Sequence, residues 1–174
     1  MFNSLDMPIW KGLNGEYFRF LIGGYQFPDI ADDYDANWLF LNIEAKNEQG
    51  IWKQRCACLL TWEVAWYAKW LKNVICGNCE REKLGVLEGD FELRYVAKAQ
   101  NLYRFMICLE YGLAYEKAKE GNRDKSVIGV CLTELEIEES VAYFEEMFAA
   151  FPPRGEQGKR SYKSLPGPKL FCDG

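Results

Sequence analysis

The chain has 174 residues, about half of them apolar, with a formal net charge of −5; this suits one domain with a long surface feature or tail and disfavours nucleic acid or an anionic membrane as partner. No residue is histidine, so Ser-His-Asp and Cys-His nucleophile systems and His-ligated metals are excluded, the commonest general base near neutral pH is missing, and a non-enzyme without a cofactor is expected. No run approaches the roughly 20 apolar residues that span a bilayer, and residues 1–6 carry no secretory signal, so a cytoplasmic protein with seven reduced cysteines is expected.

Residues 16–25 read as a strand rich in Phe, Leu, Ile and Tyr, broken at its end by Gly23 and Gly24. Residues 26–37 form an acidic loop. In 38–46 the apolar Leu39, Leu41, Ile43 and Ala45 alternate with Phe40, Asn42 and Glu44, a strand with two distinct faces. Residues 47–50 are a turn, and 51–59 return as the second arm of a hairpin. Thr61 then caps a helix to about Ile75, with Val64, Tyr67, Ala68, Leu71 and Ile75 as its core stripe. Further strands are expected at 85–88, 91–99, 102–111 and 126–132, with a tight turn at Gln100-Asn101 and a polar loop over 112–125. Thr133 and Glu136 form a capping box, with Leu132 and Ile137 as its hydrophobic staple. The helix they open carries a stripe of Ile137, Val141, Phe144, Phe148 and Phe151, and Pro152-Pro153 stops it.

These elements make an α+β fold, a mostly antiparallel sheet or half-barrel with two amphipathic helices packed on it. Residues 1–154 read as a single domain, and 155–174 as a tail that is loosely ordered or packed on the surface.

Four features could carry function. Asp33, Asp35 and Asn37 stand at positions 1, 3 and 5 of a calcium-loop spacing with Glu44 at position 12, but Trp38 occupies the place that needs glycine. A solvated acidic loop is the preferred reading. Cys56, Cys58, Cys76 and Cys79 could supply four thiolates to a metal, zinc above all; incidental thiols are preferred, because the spacing is unusual and a helix separates the pairs. Trp62, Trp66 and Trp70 form a second stripe on the first helix, so either the segment around Ile9-Trp10 or that around Leu170-Phe171 covers them, or they anchor a partner. Asp29, Asp32, Asp33 and Asp35 are the densest acidic cluster and the better interface candidate; the glutamates of the second helix read as a solvated face.

Three segments carry a resemblance: residues 24–29 through 33–39 (GYQFPD…DYDANWL), 58–63 (CLLTWE) with Trp70-Leu71, and 151–154 (FPPR). Their order and spacing, from about Leu21 to Arg154, are similar to the WapI family of bacterial immunity proteins. The resemblance implies a small cytosolic protein encoded beside a contact-dependent toxin, which it neutralises by stoichiometric binding without catalytic residues. The expected partner is thus a cognate protein toxin, plausibly basic, met at Asp29, Asp32, Asp33, Asp35, Trp62 and Trp66; a homo-oligomer is also compatible. The alternatives are a carboxylate- or metal-dependent hydrolase and a zinc-stabilised scaffold.

Overall fold

The computed structural model describes residues 7–116 and 125–164. Period-two burial builds its sheet: along Trp38–Asn47 (β3), Leu39, Leu41, Ile43 and Ala45 are fully buried while the residues between them are half-exposed. Trp10–Lys11 (β1), Tyr17–Tyr25 (β2), Gly50–Leu60 (β4), Lys83–Gly85 (β5), Phe91–Ala99 (β6), Leu102–Glu110 (β7) and Lys125–Leu132 (β8) complete eight strands, in the order β4-β3-β2-β1-β8-β7-β6-β5. Every pairing is antiparallel. The expected open α+β sheet is therefore present.

In the strand ladder two meanders, β2–β4 and β5–β8, meet at β1, where Lys11 pairs with Tyr17 on one side and Cys131 on the other. A strand of two residues is too short to show alternation in the sequence. The sheet curls until β4 approaches the turn that follows β7. Trp52 Nε1 of β4 donates to the carbonyl of Leu113, in the 3-10 turn Tyr111–Leu113 that follows β7.

Thr61–Ile75 (α1) and Glu134–Ala150 (α2) pack against each other on the inner face. Phe18 and Phe20 from β2, Phe91 from β6, Tyr67 from α1 and Phe144 from α2 meet there, with ring centroids 5.1 Å apart for Phe20–Phe91 and 5.2 Å for Phe20–Phe144. Such tilted and edge-on aromatic packing adds to the simple burial of area. Leu71 and Phe144 are fully buried, whereas Ile75 and Phe148 lie half-buried at the helix ends.

Local differences have local causes. Gly23-Gly24 do not end β2; a bulge there carries the strand on to Tyr25, and Tyr143 of α2 accepts the Ile22 N–H at 2.9 Å. Residues 86–90 form the turn between β5 and β6, with Gly89 at φ +84, so the expected 85–88 strand lies earlier. Thr61 is the first residue of α1, and Leu60 is its cap. The cap position expected of Thr61 thus falls one residue earlier, and Glu63 Oε2 reaches back to accept the Leu60 N–H at 2.7 Å. The Thr133–Glu136 box forms as expected, its two partners exchanging backbone N–H bonds. Residues Gly155–Ser164, expected as tail, make a third helix, α3. Tyr162 of α3 packs on Phe148, ring centroids 5.3 Å apart. Residues 165–174, including the Leu170-Phe171 pair considered as cover, lie outside the described residues.

Candidate functional site

Asp29, Asp32, Asp33 and Asp35 are all exposed, as a solvated loop requires. They are not equivalent. Asp33 Oδ1 accepts the Tyr34 N–H at 2.6 Å and starts the 3-10 turn Tyr34–Asn37, while Asp35 Oδ1 accepts from Trp38 Nε1 at 3.2 Å. Neither Asp29 nor Asp32 makes a side-chain hydrogen bond or ion pair among the described residues, which leaves both carboxylates to solvent.

The loop is held from beneath. Arg154 stacks its guanidinium 3.4 Å above the Tyr25 ring, and Nη1 donates to the carbonyls of Phe27, Pro28 and Ile30 at 2.9–3.2 Å. A planar, permanently charged fork suits this combined stacking and donation. The Tyr25 hydroxyl donates to the Pro152 carbonyl at 2.6 Å, and its ring meets Phe151 edge-on.

Asn37 is wholly buried at the centre. Its Oδ1 accepts from the Arg154 N–H at 2.7 Å and from the Thr61 hydroxyl at 3.2 Å, and its Nδ2 lies 3.2 Å from the Tyr34 and Arg154 carbonyls. One carboxamide thus ties the loop, the start of α1 and the segment after α2. A Cβ on Gly158 would lie 2.7 Å from that Nδ2, so α3 can approach only with glycine there. Arg154 and Tyr25 appear in the sequence only as letters of the segments carrying the resemblance, and Asn37 otherwise only as position 5 of the calcium-loop spacing, a role its burial and hydrogen bonds do not fit.

The tryptophan stripe divides. Trp62 is 1% exposed and lies under Tyr34, ring centroids 5.5 Å apart, so the expectation that it anchors a partner directly does not fit its burial. Ile9-Trp10 does not cover it; Trp10 packs on Phe18 and Phe105 and donates to Ser140 Oγ at 2.8 Å. Trp66 is half-buried in a cleft of about 460 Å³ with Tyr34, Glu63, Leu87 and Ser161. Glu63 is buried there, and both its oxygens accept backbone N–H groups, from Leu60 at 2.7 Å and Leu87 at 2.6 Å. Loss of water outweighs those two bonds and pushes its carboxyl up to about 7.

The two metal arrangements weighed in the sequence do not assemble. Glu44 faces Lys53 in an ion pair on β3, about 20 Å along the strand from the turn that holds Asp33 and Asp35. Cys58 and Cys76 flank opposite ends of the 15-residue α1, which separates them by roughly 20 Å. Instead, Cys56 and Cys58 approach Asp90, a residue the sequence reading passed over. Cys56, Cys58, Cys79, Cys108 and Cys131 are free thiols.

A family model described as "Immunity protein WapI-like family" matches residues 9–152. No curated protein and no solved structure matches the chain.

Proposed function

The chain belongs to the WapI-like immunity protein family, and we propose that it neutralises a cognate protein toxin by direct stoichiometric binding through the acidic 29–35 loop. The observation that carries the choice of surface is the support beneath that loop. Arg154 and Asn37 hold a run of exposed carboxylates in one shape, so little ordering cost would remain when a partner docks. A net charge of −5 favours a partner that is basic at the contact. Trp66 and Leu87, at the rim of the neighbouring cleft, extend the surface with apolar area. Among the described residues no helix is long and apolar enough to cross a membrane, and action in the cytoplasm is part of the same proposal.

The test reverses Asp29 and Asp32 to Lys together, since these two carboxylates support no fold contact. Association with the toxic domain encoded beside the gene is followed at two salt concentrations, with a melting curve alongside. The reading expects a slower on-rate at low salt, a loss that shrinks at high salt as exposed charges are screened beyond about 10 Å at 0.1 M, and an unchanged melt. Normal, salt-sensitive association by the double variant would remove the loop as the interface.

A further inference from the structure

The bulge in β4 brings together three groups that binding through the acidic loop does not use. Leu39 pairs with Leu59 and Phe40 with Ala57, so Cys58 is the extra residue between two ladder positions. A bulge re-aims a side chain, and here it leaves Cys58 buried beside Cys56. Asp90 comes from the turn before β6, in the other half of the molecule. The two sulfurs and a carboxylate oxygen all lie within 4.8 Å of one another, with Cys56 Sγ 3.9 Å from Asp90 Oδ1. Ligand atoms round a tetrahedral zinc ion are about 3.5–3.8 Å apart, as Zn–S of about 2.3 Å and Zn–O of about 2.0 Å require.

A second observation concerns charge. Asp90 is buried, and among the described residues no ion pair reaches it or the nearby Glu63 and Glu88. The Gly112 N–H donates to Asp90 Oδ1 at 3.3 Å, the kind of outer contact that orients a metal ligand. A Cβ at Gly112 would lie 3.6 Å from Cys56 Sγ, so glycine keeps that side open, and the half-buried Cys56 leaves a way in from solvent.

We propose that Cys56, Cys58 and Asp90 form a zinc site with three protein ligands and a fourth position for water. Two thiolates and one carboxylate suit zinc rather than calcium or magnesium, which take oxygen ligands alone. Binding one divalent ion releases two thiol protons and changes no oxidation state. The ion clasps β4 to the turn between β5 and β6, closing the mouth of the curled sheet.

The full chain, reduced and stripped with a chelator, is titrated with Co²⁺, read by the thiolate-to-cobalt band and by proton release, and then with Zn²⁺ as competitor. One ion per chain with about two protons released, and a higher melting temperature, is expected. Cys56→Ser should weaken binding more than roughly 100-fold, beyond the cost of an outer-contact change. Asp90→Asn should weaken it while keeping a cobalt–thiolate band, and Cys76→Ser and Cys79→Ser should bind as wild type. Circular dichroism checks each fold; Cys56 is half-buried and should tolerate a hydroxyl if Cys58→Ser fails to fold. Absence of a thiolate band in the folded, reduced protein, an undiminished band in Cys56→Ser, or loss of the band with Cys76→Ser would overturn the assignment.

Discussion

Replacing Asn37 by alanine should be among the most damaging single changes outside the aromatic core. The side chain is 0% exposed, and its removal leaves the Arg154 N–H and the Thr61 hydroxyl without the acceptor they now share. The carbonyls of Tyr34 and Arg154 lose a donor as well. A buried group left unsatisfied costs about 1–3 kcal/mol, and water entering the small cavity recovers part of it, so a loss of about 3–5 kcal/mol is expected. At about 2–4 °C per kcal/mol for a chain of this size, the melting temperature should fall by roughly 6–20 °C. Urea unfolding measures it directly: the midpoint should drop with little change in slope. In a double-mutant cycle with Thr61→Ala, the second substitution should cost less in the Asn37→Ala background, because its partner has already gone. A loss below about 1 kcal/mol, or strict additivity with Thr61→Ala, would refute the claim that this carboxamide holds the loop, α1 and the Arg154 segment together.

Arg154→Lys should destabilise nearly as much as Arg154→Ala, since an ammonium cannot stack on Tyr25 while also serving three carbonyls; faster amide exchange over 26–37 would register the loosened loop. Gly158→Ala should push α3 off the Asn37 turn, read as earlier proteolysis in 155–164 with the sheet core intact. Because the Glu63 carboxyl titrates at about 7 when folded, above its ordinary 4.5, its contribution is fully present below pH 4.5 and is lost as pH rises through 7, on the order of 3 kcal/mol by pH 8. Glu63→Gln should flatten that slope while lowering stability at pH 5, because one amide oxygen cannot replace both carboxyl oxygens at the Leu60 and Leu87 N–H groups; parallel pH curves for the two proteins would contradict this.

The elements with strong period were legible in the sequence: β3 by its alternation, α2 by its capping box and apolar stripe, and the Gln100-Asn101 turn, where Gln100 takes φ +56. What escaped depended on distance along the chain. Asn37 and Arg154 are 117 residues apart, and nothing local in either residue signals the other. The same holds for Cys56 and Asp90, which only the curl of the sheet brings together. The wheel shows which side Trp62 faces but not what lands on it, and Tyr34 lands there. The acidic residues were correctly read as solvated, yet only the structure separates Asp33 and Asp35, which hold the turn, from Asp29 and Asp32.

The two-residue strand β1 has a consequence for synthesis. Lys11 leaves the ribosome early, but its partner Cys131 follows 120 residues later, roughly 6–24 s at ordinary elongation rates. During that interval β2, β3 and β4 can zip into a meander and α1 can form, while the far side of β1 has no strand to pair with. The nascent N-terminal half therefore shows an open backbone edge at what will become the centre of the sheet. Anything that lengthens the pause before β8 emerges, such as slow codons in the second half of the message, prolongs the exposure of that edge to other nascent chains. β8 is the last strand in chain order, and in the folded protein it is the strand that covers the far side of β1.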